Sequence, residues 1–168
     1  TTNAGWNVTF TAGVSGIPTP KLQWRFNGAN IAGQTSSTLI RTNVQLGTLA
    51  GYYTLFATNP IGTITSSIAE LEVIDTVPII TTQPMSVTTN AGTNVTLTIS
   101  TVGTDPRRYQ WQCNGTNIPG ASATSYTRNN VQQTNTFRCL ISNPVGVTAS
   151  DIAVVAALDS APTITRDA

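Results

Sequence analysis

The side chains in this sequence that could carry out chemistry are two cysteines and seven acidic residues. Cys113 and Cys139 are its only thiols, and it contains no histidine. Without an imidazole, the Ser-His-Asp and Cys-His arrangements of nucleophilic catalysis are excluded. Two thiols alone do not complete a tetrahedral metal site, which takes four ligands. The sequence therefore predicts a protein that is not an enzyme and that has no metal site and no cofactor.

The acidic residues include one closely spaced pair, Glu70 and Glu72. Residues two apart on a β-strand point to the same face, so these two carboxylates would be neighbours. A general acid–base pair also needs partners that push the two pKa values apart. No such group accompanies this pair, and we interpret it as a solvated outer strand face.

The composition limits the class of partner. Only 9% of the residues are charged and the net charge is +1, so there is no basic field for nucleic acid or an anionic membrane surface. No run of about 18 apolar residues is present, which predicts no membrane insertion. The sequence has 31 threonines and only one lysine, a composition typical of a secreted β-protein. The predicted location is therefore extracellular or at the cell surface.

Local patterning predicts an all-β chain. Apolar and polar residues alternate with a period of two in segments such as residues 8–12 and 95–99. These segments are separated by turns rich in glycine, proline and asparagine. No segment shows a sustained helical period.

An internal repeat divides the chain. The matches spaced 87 residues apart are Thr1–Gly5 with Thr88–Gly92, Trp24 with Trp111, and Arg41–Gln45 with Arg128–Gln132. Further along, Asn59–Gly62 matches Asn143–Gly146 at a spacing of 84. The second copy therefore lacks three of the residues that connect Gln45 to Tyr53 in the first copy. The repeat predicts one domain over residues 1–75 and another over 76–159, with 160–168 starting a further repeat or forming an extended tail.

These landmarks resemble a known family. The segments 5–24 and 50–59 are similar to strands B, C and F of the I-set-like immunoglobulin domains that recur in tandem in bacterial surface and secreted proteins. The resemblance implies two immunoglobulin-like Greek-key β-sandwiches in tandem. It places Trp24 and Trp111 in the cores and makes Tyr53 a tyrosine corner. Phe137 stands at the same place in the second copy and lacks the hydroxyl.

The resemblance also bears on the cysteines. It places Cys113 on strand C and Cys139 on strand F, which are antiparallel neighbours in this family, at positions that roughly face each other. A Cys113–Cys139 disulfide is the preferred interpretation for a secreted protein. Two free buried thiols, acting as small apolar side chains, are the alternative.

Two aromatic residues are predicted to point outward. Tyr52 and Phe56 have the opposite parity to Tyr53 on the same strand, so they are the candidate residues for binding a surface glycan or protein. The second copy has no equivalent aromatic pair. An ordinary sheet surface is the preferred interpretation.

The first copy lacks an opening strand. Residues 77–84 open the second copy, and residues 161–165 repeat their pattern, but nothing equivalent precedes Thr1 in this sequence. We expect a strip of core to be exposed where that strand would lie. Continuation of a longer chain is the favoured source of the strand. The alternative is the terminal strand of another copy, which would build a head-to-tail fibre.

The expected function is therefore non-catalytic. The sequence favours an extracellular structural or adhesive module, a stalk or fibre segment whose partners are other copies of the repeat or neighbouring domains. The alternative is an accessory carbohydrate- or protein-binding module attached to a secreted enzyme. Full-length context would separate the two hypotheses.

Overall fold

A computed structural model describes residues 1–158, and all their regular structure is β. None of these residues forms a helix long and apolar enough to cross a membrane. The end of the predicted second domain at residue 159, and the predicted further repeat or tail over 160–168, lie outside the described residues. The strands are β1 Thr2–Asn3, β2 Val8–Thr11, β3 Lys21–Phe26, β4 Ala29–Asn30, β5 Thr38–Arg41, β6 Gly51–Asn59, β7 Gly62–Thr65, β8 Ala69–Leu71, β9 Val73–Ile74, β10 Ile79–Thr82, β11 Val87–Asn90, β12 Val95–Thr98, β13 Ser100–Val102, β14 Arg108–Cys113, β15 Thr116–Asn117, β16 Ser125–Arg128, β17 Asn135–Ser142, β18 Val147–Ala149 and β19 Ala153–Leu158.

The chain folds as two compact units. The first comprises Thr1–Thr76 together with Gly103–Asp105, and the second comprises Val77–Val102 and the chain from Pro106 onward. Each unit has its own buried apolar cluster.

The first unit is a sandwich of two antiparallel layers. One layer is the β2–β5 pair, and the other has the order β4-β3-β6-β7, with β8 also paired to β6. The interruption between β7 and β8 occurs at Ser66, whose Oγ accepts a hydrogen bond from the Leu55 N–H at 2.9 Å. A third pairing, β1 with β9, is parallel and joins the two ends of the unit.

The second unit repeats this plan and adds a strand. Its larger sheet has the order β11-β19-β17-β14-β15, with β18 paired to β17, and its other layer contains the β12–β16 pair. The β11–β19 pairing is again parallel. The additional strand is β10, which pairs with β13 and has no equivalent among the strands of the first unit.

Matching two-residue turns set the register of a hairpin at the edge of each larger sheet. Asn27 and Gly28 connect β3 to β4 with φ angles of 47° and 83°, and Asn114 and Gly115 connect β14 to β15 with 48° and 81°. Asn-Gly is the preferred pair where both central turn residues need positive φ, because asparagine and glycine tolerate that conformation. The two copies therefore form this edge hairpin with the same turn.

The cores form where the inward faces of the two layers meet. In the first unit the buried cluster is Ala4, Trp24, Leu39, Val44, Tyr53, Leu55, Leu71 and Val73. In the second unit it is Val95, Leu97, Ile99, Trp111, Val131, Phe137, Cys139, Ile141, Ala153 and Val155. The period-two alternation of β6 and β17 accounts for this, because every second side chain of each strand is buried.

Candidate functional site

The two cysteines do not face each other, which corrects the expected pairing. In the β14–β17 ladder Cys113 is opposite Phe137 and Cys139 is opposite Trp111, so the cysteines are diagonal neighbours. Diagonal Cβ atoms lie about 7–8 Å apart, whereas a disulfide requires about 3.8 Å. Both thiols are free in the structure. The structure therefore departs from the predicted disulfide and agrees with the alternative of two free thiols.

The Cys139 thiol is fully buried in the second core. Burial raises its pKa from 9.0 to about 11, because the thiolate loses its hydration, and a backbone hydrogen bond from Gln110 offsets part of that effect. A thiol with a raised pKa is a poor nucleophile. Cys139 is therefore a packing residue and has the wrong environment for redox or nucleophilic chemistry.

We expect the second unit to lose stability in alkaline solution because of Cys139. The folded pKa of about 11 lies above the unfolded value of 9.0, so the contribution is complete below pH 9 and is lost as the pH rises through 11. At pH 10 the loss should be about 1 kcal/mol. Urea unfolding at pH 8 and pH 10 measures it, with Cys139→Val as the control. An identical pH dependence in this variant would contradict the assignment.

The two predicted core tryptophans occupy equivalent positions. Trp24 and Trp111 have exposed fractions of 3% and 0%, and both ring nitrogens are satisfied by the backbone. Trp24 Nε1 donates to the Ser36 carbonyl at 2.9 Å, and Trp111 Nε1 donates to the Ala123 carbonyl at 3.0 Å. Neither ring is available to a ligand, so both are structural.

Tyr53 forms the hydroxyl contact expected of a tyrosine corner. Its ring is completely buried and stacks on Phe10 with the ring centroids 4.4 Å apart. Its hydroxyl donates to the Leu49 carbonyl at 2.8 Å and accepts from Arg41 Nε at 3.4 Å. Phe137 is buried at the equivalent place in the second unit without a hydroxyl. Leu49 lies in a connection that is three residues shorter in the second copy. A hydroxyl at position 137 would therefore lack the carbonyl partner that Tyr53 has.

Removing the Tyr53 hydroxyl should destabilise the first unit. We expect Tyr53→Phe to lower its free energy of unfolding by about 1 kcal/mol, because the Leu49 carbonyl loses its donor. Chemical denaturation measures the change, and Tyr126→Phe is a control because Tyr126 is a partly buried tyrosine of the second unit. A Tyr53→Phe protein as stable as the wild type would show that this hydrogen bond contributes nothing.

The outward-facing aromatic pair lies on β6 as predicted from parity. Tyr52 is 51% exposed, whereas Phe56 is half-buried because the Arg25 guanidinium lies 4.1 Å above its ring centroid. The two residues are four apart on one strand, which separates them by about 13 Å. Only Tyr52 presents an open ring face, so the pair does not form a continuous aromatic platform.

The acidic pair is solvated. Glu70 and Glu72 are both exposed, and Glu72 Oε2 accepts a hydrogen bond from the Thr1 hydroxyl at 2.6 Å. Within residues 1–158, no three His, Cys, Asp or Glu side chains are grouped closely enough to hold a metal ion. The described part of the chain therefore does not bring together an acid–base or metal-binding constellation.

A groove runs along one edge of the first unit and is here called the edge channel. It comprises two adjoining cavities of about 280 and 370 Å³, lined by residues from the stretches 12–20 and 55–66. Ala57 and Ile64 line both cavities. The sequence predicted an exposed strip of core here, but the individual wall residues become apparent only from the fold. The sequence signal that could have indicated one of them is Ile64, because the second copy has Thr148 at the same position.

No family model matches this chain. It is 29% identical over 164 residues to Endoglucanase C of Cellulomonas fimi, covering 90% of this chain and 15% of that protein. It is 27% identical over 158 residues to Hemicentin-1 of Homo sapiens, covering 84% of this chain and 3% of that protein. The chain thus spans a small fraction of the curated relatives that it matches.

Comparison with solved structures finds chains of tandem immunoglobulin domains, of which the titin chain reaches a TM-score of 0.50. A chimeric titin Z1Z2 carrying an exogenous KLER peptide from decorin matches with a TM-score of 0.50 at 23% identity, covering 95% of this chain and 92% of that one. The tandem Ig repeats of Dlar match with a TM-score of 0.46 at 20% identity, covering 94% and 92%. The chain consists of immunoglobulin-like β-sandwiches in tandem. This fold positions the two parallel strand pairs and the edge channel.

Proposed function

We propose that this chain is a non-catalytic extracellular structural or adhesive segment, a piece of a stalk or fibre built from tandem I-set-like domains of a bacterial surface or secreted protein. The observation that carries the proposal is a parallel pairing in each unit between a strand near the start of the unit and its last described strand. β1 pairs with β9, and β11 pairs with β19. Its partners are neighbouring domains or other copies of the same repeat.

Parallel terminal strands resist force applied at the ends of a unit. In the first unit the Thr2 N–H donates to the Glu72 carbonyl and the Ala4 N–H donates to the Ile74 carbonyl, both at 2.9 Å. Pulling the two ends apart slides these strands along each other, so their hydrogen bonds must break together instead of one at a time. In the second unit the pairing extends over four residue pairs, from Val87 with Val155 to Asn90 with Leu158. This arrangement is the feature that supports a spacer role under tension.

The role of the terminal pair can be tested by changing one bond. Thr2→Pro removes the N–H that binds the Glu72 carbonyl, and proline cannot replace that donor. We expect single-molecule pulling to show a lower unfolding force for the first unit of this variant. Thr2→Ala is the matched control, because it retains the N–H. Equal forces for Thr2→Pro, Thr2→Ala and wild type would contradict a mechanical role for the β1–β9 pair.

A second candidate is an accessory binding module of a secreted enzyme. It is favoured by the similarity to a protein named Endoglucanase C and by the exposed ring of Tyr52. Sedimentation of the chain with insoluble cellulose tests it. Retention that Tyr52→Ala abolishes, and that Tyr126→Ala does not, would support this candidate. The structural role predicts that the wild-type chain stays in the supernatant.

A further inference from the structure

The outer face of the larger sheet in the second unit carries a groove of its own, here called the face groove. It has a volume of about 300 Å³ and lies over residues of β14, β15, β17 and β18. A volume of about 300 Å³ is at the lower end of the usual range for ligand pockets, so the groove can hold a small ligand or one residue of a polymer. Its lining includes Arg108, Gln110, Asn117, Leu140, Ser142 and Val147.

A chain of hydrogen bonds fixes the polar group at one end of the face groove. Arg138 Nε donates to Gln112 Oε1 at 2.6 Å, and Gln112 Nε2 donates to Asn117 Oδ1 at 2.8 Å. Arginine can only donate, so Arg138 sets the direction of both bonds. Gln112 is 8% exposed, so the chain is held close against the sheet. The Asn117 amide therefore keeps its Nδ2 group as a donor for the groove that it lines.

Gln110 supplies the complementary acceptor. Its Nε2 donates to the Trp111 and Ile118 carbonyls, both at 2.8 Å, which leaves Oε1 as the acceptor that faces no partner in residues 1–158. Gln23 makes the equivalent pair of bonds in the first unit, so both copies hold this amide in the same orientation. The groove thus presents a fixed acceptor as well as a fixed donor, and the Ser142 hydroxyl can serve as either.

A cation lies at the other end of the face groove. Arg108 is exposed, and its guanidinium has no hydrogen-bonding or ionic partner in the part of the chain that the structure describes. It is opposite Ser142 in the β14–β17 ladder and four residues from Gln112, which places it about 13 Å from the amide chain. The described part of the second unit contains four arginines, and its only acidic residue is Asp151. The groove is therefore electropositive and has no carboxylate in its lining.

The first unit covers the equivalent surface with its own side chains. Phe56 stands at the position of Leu140, and the Arg25 guanidinium lies 4.1 Å above its ring centroid. Arg25 Nε also donates to Asn30 Oδ1 at 3.0 Å, so this guanidinium is used within the unit. Leu140 has no aromatic ring that could hold an arginine in this way, and the surface above it is open in the second unit.

The lining of the face groove favours a ligand with hydroxyl groups and a negative charge. A sugar hydroxyl both donates and accepts, so it can use the fixed donor and the fixed acceptor together. A guanidinium binds a carboxylate through two parallel hydrogen bonds. An extended peptide binds by adding a strand at a sheet edge, whereas this groove lies over the face of strands that are already paired. The arrangement therefore suits an acidic sugar better than an acidic peptide.

We propose that the face groove binds a uronate residue of an acidic polysaccharide. The carboxylate pairs with Arg108, the sugar ring lies on Leu140, and its hydroxyl groups bond to Gln110 Oε1 and Asn117 Nδ2. The inference rests on the adhesive part of the proposed function and names its ligand class. The mechanical part rests on a different observation, the parallel strand pairs.

NMR titration of the ¹⁵N-labelled full chain with a trimer of galacturonic acid tests the proposal. We expect saturable shifts for the amides of residues 108–117 and 140–147. Arg108→Gln should weaken binding about tenfold or more, because the charge-assisted pair with the carboxylate is lost. Lys21→Gln is the matched control: it removes the same charge from the equivalent exposed position of the first unit, and the affinity should not change.

A second variant tests the fixed donor without changing the charge. Asn117→Ala removes the Nδ2 group, and we expect it to weaken binding of the trimer by about threefold to tenfold, the usual effect of losing one hydrogen bond. Asn30→Ala is the equivalent change in the first unit and should leave the affinity unchanged. A neutral galactose trimer should bind at least about tenfold more weakly than the acidic one, because it offers Arg108 no carboxylate. Unchanged thermal unfolding of the variants shows that their folding is intact.

Three outcomes would overturn the proposal. Absence of saturable shifts at any soluble concentration of the trimer shows that the groove does not bind a uronate. Binding that survives Arg108→Gln shows that the carboxylate is held elsewhere. A trimer of glutamate that binds as tightly as the sugar shows that the groove recognises charge alone and suits an acidic peptide. None of these outcomes bears on the proposed mechanical role, because single-molecule pulling is performed without a ligand.

Discussion

Trp111→Ala should lower the free energy of unfolding of the second unit by about 3–5 kcal/mol, the usual cost of removing a buried aromatic side chain. The ring is fully buried, contacts Tyr126 with centroids 6.3 Å apart, and donates to the Ala123 carbonyl, which would lose its partner. Small domains are stable by only about 5–15 kcal/mol, so this change should remove a large fraction of the stability.

Scanning calorimetry measures this loss through the transition of the second unit. Trp111→Phe is the control, since it retains most of the apolar volume and should cost less than half as much. Trp24→Ala is the matched change in the first unit and should affect that unit's transition in the same way. A loss below about 1 kcal/mol for Trp111→Ala would mean that the core is not organised around this residue.

Gly51→Ala should destabilise the first unit by about 2–4 kcal/mol, through backbone strain and steric conflict. Gly51 has a φ of 148°, which residues with a Cβ rarely adopt. An added Cβ would lie 2.7 Å from Asn27 Oδ1 and 2.9 Å from Phe26 Cε2. It would also disturb the hydrogen bond in which the Tyr52 N–H donates to Asn27 Oδ1 at 2.9 Å.

Urea denaturation measures the free energy of unfolding of Gly51→Ala, with Gly47→Ala as the control. A Cβ on Gly47 meets no atom within 4 Å and its φ is outside the strained range, so the control should stay within about 0.5 kcal/mol of wild type. Equal stability of the two variants would show that the start of β6 relaxes without cost.

The sequence pattern predicted which face of a strand each side chain occupies, but it did not predict the register between neighbouring strands. The family resemblance placed Trp24, Trp111 and Tyr53 in the cores, and their burial agrees with the period of two that determines which face of a strand each residue occupies. It does not determine which residue of the neighbouring strand lies opposite. Cys113 and Cys139 therefore belong to adjacent strands as expected, but two residues out of register for a disulfide.

The functional features depend on pairings that a single sequence does not specify. The β1–β9 pair covers only two residues, and nothing in the local pattern of Thr2–Asn3 distinguishes a parallel partner from an antiparallel one. The repeat did indicate the missing opening strand, since residues 77–84 have no earlier counterpart. The size of the edge channel depends on Ala12 and Ala57, small residues whose effect appears only once both strands are packed together.

Pulling single chains from both ends tests most directly whether these units form a mechanical spacer. The structure predicts two discrete unfolding steps, each releasing roughly 25 nm for a unit of this size. The parallel pairing joins two residue pairs in the first unit and four in the second. The first unit should therefore unfold at a lower force than the second. Trp111→Ala assigns the steps, because it should weaken only the stronger one. Gradual extension without steps, or a first unit that outlasts the second, would contradict the proposed role.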